Sequence, residues 1–348
     1  MFAIWDPRRL SAALAAYAGQ VAPVLAARQF DVIHFHSIFT GTAVLRALRR
    51  APQRAALIYT VHSPVVQEQR LTWSQQGLVG IVNQAIGVPL VRRMERRLLG
   101  RADATHVLSQ FTAAELAKEH PRLRFRCDVI PHFCYDDWKR RLTRAEARSQ
   151  LGWAPQLPAF FTVRQLRYRY GIEDAIAAVS PFAAAGQCTF HIAGNGPDMA
   201  MLRKRIDDSG CRESIFLMGR LPDDTLAIAY QAADLFLLPT RFLECFGLIS
   251  LEAMSFGLPV LGTTAGAIPE VLGPVLPGFL SPPGDPAALR AKLAEYLDGR
   301  LVPPAEEKLR EYVRANYSEP TVMAQYEALY EQARIHRAGR DGFGRRSL

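Results

Sequence analysis

The chain has 348 residues, 49% of them hydrophobic and 22% charged, with a formal net charge of +9. This length exceeds the usual size of a single hydrophobic core, so we expect two domains, and the composition excludes a disordered or fibrous protein. No apolar run approaches a membrane span and the amino terminus MFAIWDPRRL lacks the apolar core of a signal peptide, so the expected location is the cytoplasm.

The net charge is concentrated in the first half of the chain. Residues 1–150 carry 22 Lys and Arg against 11 Asp and Glu, a net of +11, whereas the remaining residues have a net of −2. Basic runs at 92–101 and 139–144 favour an anionic partner: a membrane surface, a phosphorylated acceptor or nucleic acid. Nucleic acid is the weakest candidate because aromatic residues do not alternate with the basic ones and no binding motif is present.

The cysteines do not indicate a disulfide framework or a metal site. There are five, an odd number, and no C-x-x-C pair occurs among them: Cys127, Cys134, Cys188, Cys211 and Cys245. We therefore expect isolated buried thiols.

Short apolar strands alternate with helices along the first half. Strands are predicted at 31–36, 56–61, 104–109 and 127–131, and helices at about 9–27, 41–50, 83–100 and 112–118. The helix at 83–100 is expected either to bind anionic lipid or to be an ordinary domain helix with a solvated basic face. Its apolar side carries Leu90, Val91, Met94 and Leu98, and its basic side carries Arg92, Arg93, Arg96 and Arg97.

The second half repeats the pattern. Strands are predicted at 160–163, 189–194, 215–219, 234–239 and 259–262, each followed by a loop and a helical stretch. This alternation favours parallel sheets with helical crossovers, and ligands of such sheets bind beyond the carboxyl ends of the strands. The segment 134–158, rich in charge, Gly and Pro, is predicted to connect the two domains.

Four strand ends in the second half carry residues suited to phosphate and sugar. They are Arg164, Arg167 and Arg169 after the first strand, NGPD after the second, TRFLECFG after the fourth and TTAGAIPE after the fifth. Glycines at 194, 196, 247 and 266 are expected to let the backbone approach a ligand. Taken singly, each of these features is more often a turn, a solvated surface or an ordinary helix start, but their coincidence at successive strand ends favours a binding site.

Two glutamates, Glu244 and Glu252, flank a Phe-Gly pair in RFLECFGLISLEAMSFGLPV. If a helix opens at Phe246 and Gly247, its free backbone N–H groups form an anion site beside Glu244, and Glu252 lies two turns further on. The alternative is a buried amphipathic helix in which Glu244 complements the helix dipole and Glu252 is solvated.

The order GNGPD, FLMGRLPDD, AADLFLLPT, ECFGLISLEAMSFGLPVLGTTAGAIPE and GFLSPPGDPAAL resembles the nucleotide-binding domain of retaining glycosyltransferases of family four, also called group 1. The likeness covers 158–330 and extends more loosely over 31–133, where DVIHFHS, YTVHS and DVIPHF resemble strands of the first domain. It implies the GT-B architecture, an α/β fold of two Rossmann-like domains facing across a cleft. The expected divisions are 1–140 for the acceptor-side domain, 141–318 for the donor domain and 319–348 for a terminal helix and tail.

The resemblance assigns roles residue by residue. It implies that Glu252 holds the ribose hydroxyls, that Glu244 contacts the transferred sugar, and that His62 lies near the reaction centre. Arg164 and Arg169 are expected to stabilise the departing diphosphate. The remaining donor-binding positions are Phe246, Gly247, Leu248, Gly194, Asn195, Gly196, Gly266, Ala267 and Glu270.

The loop after the first strand of the donor domain departs from the family pattern. Gln165 and Tyr170 occupy the positions where the family has Arg and Lys, while Arg164 and Arg169 keep the same spacing one place earlier. Arg167 is the alternative to either arginine. Ala267 stands where a second glycine is usual, which leaves the backbone amide available.

The histidines on the first strand of the chain are less informative. His34 and His36 alternate along it and therefore share one side, where a structural role or a place near the acceptor is expected.

The implied reaction is transfer of a hexosyl group from a UDP- or GDP-sugar to an acceptor hydroxyl with retention. The family's usual work suggests synthesis of a surface polysaccharide, lipopolysaccharide or glycolipid, in the cytoplasm or peripherally at the inner face of the membrane. No cofactor or metal is expected, since there is no D-x-D pair. The alternatives are a catalytically impaired donor-binding or partner subunit, a sugar-nucleotide epimerase and a phosphorylase.

The front of the chain also departs from the family. Members begin with a strand, a glycine-rich loop and a further strand–helix unit before the equivalent of 31–36, whereas here a single predicted helix precedes it. The first domain is therefore expected to lack its initial strands, and the true start of the chain is an open question.

Overall fold

The computed structural model describes residues 6–74, 76–135 and 142–343, and the chain separates into two compact units. The first comprises Met1–Pro131 together with Met323–Leu348, and the second comprises His132–Val322. These divisions fall near the boundaries expected at 140 and 318. The terminal helix begins in the second unit and continues into the first.

The first unit contains a sheet of four parallel strands in the order β1-β2-β3-β4. The strands are β1 (Val32–Phe35), β2 (Ala56–Val61), β3 (Ala104–Val107) and β4 (Cys127–Val129). All four were predicted. Strand β2 is buried along its whole length, as expected for a central strand covered by helices on both faces.

Among the described residues, six helices belong to the first unit. They are α1 (Pro7–Ala27), α2 (Ile38–Ala47), α3 (Val65–Ser74), α4 (Gly77–Leu99), α5 (Gln110–Glu119) and α14 (Glu319–Phe343). Helices α2 and α5 begin at Ser37 and Ser109, whose hydroxyls accept hydrogen bonds from the amides of Phe39 and Thr112. Helix α3 was not predicted.

The apolar side predicted for α4 faces the core. Val91 and Leu98 are fully buried and Met94 nearly so. The prediction that these residues could contact lipid is therefore wrong, because they fill the space between α4 and the rest of the unit.

Helix α1 does not match the expectation that no segment is apolar enough to span a membrane. It has 21 residues and a mean hydropathy of 1.5, with little of it buried. By length and composition it could cross a bilayer, although apolar core helices and signal sequences share these properties.

Helix α14 is joined to the first sheet by polar contacts. The Tyr330 hydroxyl lies 3.0 Å from Nδ1 of His34, and the ring of Tyr326 packs edge-on against His106 with 4.9 Å between centroids. Helix α14 thus completes a unit whose strand residues His34 and His106 lie 296 and 220 residues before the tyrosines that contact them.

The second unit contains six parallel strands in the order β10-β9-β8-β5-β6-β7. The strands are β5 (Ala159–Val163), β6 (Thr189–Ala193), β7 (Ile215–Gly219), β8 (Leu235–Leu238), β9 (Val260–Thr263) and β10 (Leu280–Ser281). Five were predicted and β10 was not. The chain runs outward from β5 through β6 to β7, then returns to the other side of β5 to add β8, β9 and β10, so the strand order reverses between β5 and β8.

In residues 132–135 and 142–322, the described part of this unit, there are eight α-helices. They are α6 (Arg144–Leu151), α7 (Ile172–Ala184), α8 (Met199–Asp208), α9 (Asp223–Ala232), α10 (Leu248–Ser255), α11 (Ile268–Leu272), α12 (Pro286–Leu297) and α13 (Glu306–Tyr317). Helix α6 lies inside the segment 134–158, which was predicted to be only a connection. A capping box between Thr143 and Glu146 starts it, and buried Arg148 contacts Asp234 and donates to the Ala232 carbonyl, so the helix is part of the domain.

The predicted α/β class with parallel sheets is confirmed in both units. The five cysteines are free thiols, as predicted. Cys134, Cys188 and Cys211 are buried, but Cys127 and Cys245 are only partly buried, so the prediction of buried thiols is wrong for these two.

The junction of α3 and α4 generates a stability prediction. A Cβ at Gly80 would lie 1.8 Å from the carbonyl oxygen of Trp73, whereas a Cβ at Gly19 in α1 would meet nothing within 4 Å. We expect Gly80→Ala to cost about 1–3 kcal/mol through overpacking. Gly19→Ala should be neutral or stabilise by up to about 1 kcal/mol, because alanine is the better helix former.

Thermal unfolding followed by circular dichroism measures both changes. Equal melting temperatures for the two variants would contradict this packing of α3 on α4.

Candidate active site

The candidate site lies at the carboxyl ends of β5 and β8. These strands are neighbours in the sheet, and the strand order reverses between them. Such a reversal opens a crevice, because the loops that follow the two strands run to opposite sides of the sheet. Arg164 follows β5, and Thr240 and Glu244 follow β8.

A buried ion pair joins the two loops. Nη2 of Arg164 donates to Oε2 of Glu244 at 2.6 Å, and the two side chains are only 9% and 11% exposed. Thr240 lies between them, 3.3 Å from Nη1 of Arg164 and 3.4 Å from the same carboxylate oxygen. Removing one member of a buried pair leaves the other charge uncompensated and typically costs about 3–5 kcal/mol. The pair therefore fixes the orientation of Glu244 in the crevice.

The backbone around Glu244 is held equally tightly. Leu243 is the only non-glycine residue with a positive φ in the described ranges, at 59°. The amide of Ala267 donates to the Glu244 carbonyl at 2.8 Å, and a Cβ at Gly266 would lie 2.1 Å from that oxygen. The strained turn and the second loop together leave Glu244 few alternative positions.

Gly194 and Gly196 allow a close approach between two loops of the protein, and their contact with a donor stays a prediction. A Cβ at Gly194 would lie 1.8 Å from the Arg164 carbonyl oxygen, and a Cβ at Gly196 would lie 2.2 Å from the Leu166 carbonyl oxygen. The Leu166 amide donates to the Asn195 carbonyl at 2.9 Å. Both glycines make room for the neighbouring loop of the protein, and this packing places Arg164.

The two predicted arginines, Arg164 and Arg169, both pack over the ring of Tyr170. The guanidinium carbon of Arg164 lies 4.1 Å from the ring centroid of Tyr170, and that of Arg169 lies 4.6 Å away. Arg169 also donates to the Tyr170 hydroxyl at 2.8 Å. Two guanidinium groups on one aromatic ring form a cationic surface at the end of β5. Arg167, the predicted alternative, is exposed.

Helix α10 begins in this crevice with an open amino terminus. Gly247 is its N-cap residue, with φ at 84°, and no side chain caps the helix. The Phe246 side chain is buried and packs edge-on against Tyr317, at 5.9 Å between ring centroids. Phe246, Gly247 and Leu248 can therefore offer backbone amides, which together with the helix dipole favour an anion.

Glu252 lies in the second turn of α10 and is held by a buried tyrosine. The Tyr230 hydroxyl donates to Oε2 of Glu252 at 2.8 Å. Burial raises the pKa of Glu252, and the hydrogen bond from Tyr230 partly offsets this. The earlier alternative, in which Glu252 is simply solvated, is wrong. A desolvated carboxylate with one oxygen already bonded suits a ligand that donates hydrogen bonds of its own.

Other predicted positions are less constrained. Glu270 is exposed in the first turn of α11, and Asn195 is exposed with its side chain accepting from the amide of Gly196 at 2.7 Å. Their contact with a donor stays a prediction. Within residues 6–74, 76–135 and 142–343, no group of three or more His, Cys, Asp or Glu side chains is arranged to hold a metal, and independence from metals also stays a prediction.

His62 belongs to the first unit, where it lies in a group of histidines. Its Nε2 is 3.1 Å from Nδ1 of His36, and the two rings stack with centroids 5.3 Å apart. His36 was predicted only as structural or near the acceptor, and it is the side chain that contacts His62. Burial lowers the pKa of His36, which favours the neutral form of its imidazole at the contact with His62.

A directional hydrogen-bond chain lies beside this pair. Nε2 of His106 is 2.8 Å from the Ile130 carbonyl, which can only accept, so this nitrogen carries the proton. Nδ1 of His106 must then accept from Thr60, whose oxygen in turn accepts from Nε2 of His34, at 2.9 and 2.6 Å. Nδ1 of His34 is left to accept from Tyr330.

The chain requires both imidazoles to be neutral. Burial, followed by the neighbouring histidines, lowers the pKa of His34 to about 3, and burial is the main cause that lowers the pKa of His106 to about 4. His34 and His106 therefore stay uncharged at neutral pH.

Family models match both halves of the chain. The model described as glycosyl transferases group 1 matches residues 143–316, which carry the crevice, and the model for glycosyltransferase family 4 matches residues 2–137. The chain belongs to the group 1 glycosyltransferases.

A curated relative is similar over most of the chain. The 2-deoxystreptamine glucosyltransferase of Streptomyces kanamyceticus is 30% identical over 260 residues, which are 73% of this chain and 66% of the relative. Two further curated relatives are matched over 48% and 78% of their length. The chain thus spans between about half and four fifths of the group 1 glycosyltransferases it resembles.

Solved structures share the fold. Sucrose-phosphate synthase from Thermosynechococcus elongatus superposes with a TM-score of 0.77 at 23% identity, covering 94% of this chain and 80% of that one. Anabaena HepE in complex with UDP gives a TM-score of 0.74 at 18% identity, covering 90% and 81%. These similarities confirm the GT-B fold class for this group 1 glycosyltransferase.

The raised pKa of Glu252 predicts a measurable effect on stability. Since the folded-state pKa lies above the unfolded one, the charged carboxylate destabilises the folded protein, and this penalty disappears as the pH falls below about 4.3, the unfolded value. We expect Glu252→Gln to raise the melting temperature at pH 7 and to have no effect at pH 4.

Glu311→Gln is the matched control, because Glu311 is an exposed carboxylate in the same unit and its replacement should change stability by less than about 0.5 kcal/mol. A lower melting temperature for Glu252→Gln at pH 7 would show that the carboxylate is stabilised by its surroundings and would contradict this assignment.

Proposed function

We propose that the chain transfers a hexosyl group from a UDP- or GDP-sugar to an acceptor hydroxyl with retention of the anomeric configuration. The main observation in support is that Glu244 precedes the uncapped amino terminus of α10 and Glu252 follows it, and that Glu244 is paired to Arg164. Carboxylates suit sugar hydroxyls and helix amides suit a diphosphate, so one crevice offers partners for each part of a nucleotide sugar.

Each group in the crevice then has a role. Glu252 would accept hydrogen bonds from the ribose hydroxyls, while Tyr230 donates to its Oε2 and holds the carboxylate in place. The amides at the start of α10, together with Arg164 and Arg169, would face the diphosphate. Glu244 would contact the transferred sugar, and His62 of the first unit is proposed to act there too.

The chemistry needs stabilisation of the leaving group. The bond between the anomeric carbon and the diphosphate oxygen breaks with its electron pair going to the diphosphate. The acceptor oxygen forms the new bond to the same carbon and loses its proton. Preorganised cations and helix amides lower this barrier because they need not reorganise as the negative charge develops. We propose Arg164 and Arg169 as these cations, without a divalent metal.

The comparisons support a nucleotide-sugar donor. The curated relative described above is named as a glucosyltransferase, and HepE, which shares the fold, was solved in complex with UDP. Titration with UDP and with GDP distinguishes a uridine from a guanosine donor for this chain.

The acceptor is proposed to be a precursor of a surface polysaccharide, lipopolysaccharide or glycolipid on the cytoplasmic side of the membrane. The net charge of +11 in residues 1–150 favours an anionic or phosphate-linked acceptor. The same charge disfavours a cationic aminocyclitol of the kind in the name of the Streptomyces relative.

Calorimetric titration of the purified chain with UDP, GDP and their common sugar conjugates tests the donor site. We expect binding of one nucleotide family. Glu252→Ala should weaken it about 10- to 150-fold, the factor that corresponds to losing a hydrogen bond to a charged group. Glu311→Ala, which removes an exposed carboxylate of the same unit, is the control and should bind like the unchanged chain.

A folded chain that binds none of these ligands would overturn the proposal. Binding without transfer to any glycan or lipid acceptor would favour the donor-binding partner subunit, and conversion of the donor with no acceptor present would favour an epimerase. The coupling constant of the anomeric proton in the product, measured by NMR, tests retention.

A further inference from the structure

The segment that carries Arg169 is short and lies between two larger elements. It is a 3₁₀ turn, Tyr168–Tyr170, called here the Arg169 turn, and it ends at Gly171 with a φ of 66°, where α7 begins. A Cβ at Gly171 would lie 1.9 Å from the Pro239 carbonyl oxygen, so the turn lies against the loop that follows β8. Because a single 3₁₀ turn has poor hydrogen-bond geometry of its own, its position depends on the residues that pack on it.

Arg241, in the loop after β8, contacts the Arg169 turn through both its backbone and its side chain. Its amide donates to the Arg169 carbonyl at 2.9 Å. Its guanidinium carbon lies 4.1 Å from the centroid of the Tyr168 ring, a distance at which a cation and an aromatic face attract. One residue of the neighbouring loop thus holds the first two residues of the turn.

The Arg241 guanidinium is itself anchored by Asp174 in the first turn of α7. Nε and Nη2 of Arg241 donate to the two carboxylate oxygens at 2.7 and 2.6 Å, and Nη2 lies 3.4 Å from Oε2 of Glu173. The side chains of Arg241 and Asp174 are only 13% and 10% exposed, so salt screens this pair much less than an exposed one. Two parallel hydrogen bonds fix both the distance and the plane of the guanidinium group.

These contacts suit Arg241 to hold protein rather than ligand. Its charge is compensated by two carboxylates of α7, and its flat face is covered by Tyr168. Arg169 instead donates to the neutral hydroxyl of Tyr170 and lies over that ring beside Arg164, in the crevice.

We propose that Arg241, anchored by Asp174, is a positioning residue for Arg169. It acts through the Arg169 turn and keeps the Arg169 guanidinium over Tyr170, where the diphosphate is proposed to bind. The inference rests on the proposed function, because the turn needs this placement only if a nucleoside diphosphate occupies the crevice. A misplacement of about 1 Å caused by a remote change can cost about 100-fold, so a residue without ligand contact can have a large effect.

Two variants separate positioning from folding. Arg241→Lys keeps a cation beside Asp174, but lysine cannot donate two parallel hydrogen bonds in a rigid plane or stack flat on Tyr168. Arg241→Gln with Asp174→Asn removes both charges together and so leaves no buried charge without its partner. Arg205→Gln is the matched control, because the exposed Arg205 side chain of α8 donates to the same turn of α7, at Oε1 of Glu173.

Hydrogen exchange of the ligand-free chain measures the turn itself. We expect the amides of residues 168–171 to exchange at least about fivefold faster in both Arg241 variants than in the unchanged chain, because the turn opens more often. Arg205→Gln should leave this exchange unchanged. Equal exchange in the Arg241 variants and the unchanged chain would overturn the proposal, whatever nucleotide the chain binds.

Calorimetric titration with UDP or GDP, whichever the chain binds, measures the effect on the crevice. Both Arg241 variants should bind the diphosphate about 10- to 100-fold more weakly, and Arg205→Gln should bind it normally. In an Arg169→Gln background, Arg241→Lys should weaken binding by less than about twofold, because the side chain through which it acts is gone.

The outcomes distinguish this inference from the proposed function. Unchanged diphosphate affinity in the Arg241 variants, or the same loss of affinity with and without Arg169, would overturn this inference alone. An unchanged, folded chain that binds neither UDP nor GDP would overturn the proposed function and this inference together.

Discussion

The donor-side crevice depends on the ion pair between Arg164 and Glu244. These residues are 80 positions apart, and they meet because β5 and β8 are neighbours at the point where the strand order reverses. Charges this deeply buried are tolerated only with a partner in good geometry. The surrounding loops hold the two side chains in that geometry. The positive φ of Leu243 and the close backbone approach at Gly266 position Glu244.

The glycines show how this constraint operates. Gly194 and Gly196 let the loop after β6 pack on the backbone of the Arg164 loop, and Gly266 lets the loop after β9 pack on Glu244. Any side chain at these positions would push one member of the pair out of place. They are thus structural requirements of the pair, and the direct contact with a ligand that the sequence suggested stays a prediction.

Much of the fold was predictable because its signals are local. Nine of the ten strands in the described residues were predicted from short apolar runs. Arg164 was singled out as a charge at a strand end, and Glu244 and Glu252 by their spacing around a Phe-Gly pair; their roles toward a ligand stay predictions. Strand β10, with two residues, is too short to give a pattern, and α6 lay in a segment whose charge and prolines resembled a linker. The hydrogen bond between Glu252 and Tyr230 depends on the packing of two helices, which spacing along the chain does not record.

Which side of a helix is exposed in the first unit was likewise not predictable from the sequence. The apolar and basic sides predicted for the helix at 83–100 correctly indicated an amphipathic helix, but Val91, Met94 and Leu98 proved to be its core side. The exposed apolar residues lie one to three turns earlier, where the sequence pattern resembles an ordinary buried helix. Only the exposed fraction of each side chain distinguishes this exposed stretch of α4 from a buried helix. The histidine chain from Tyr330 to Ile130 was similarly invisible, because α14 is remote in sequence from the strands it contacts.

The most direct test of this account is a double-mutant cycle on donor binding with Arg164→Gln, Glu244→Gln and the combined variant, titrated with the nucleotide sugar that the chain prefers. If the two residues act as one unit, the combined variant will lose little more affinity than the weaker-binding single variant, with a coupling of about 0.5–3 kcal/mol. Losses that simply add would show that the two side chains act independently, and would contradict the view that their pairing organises the site.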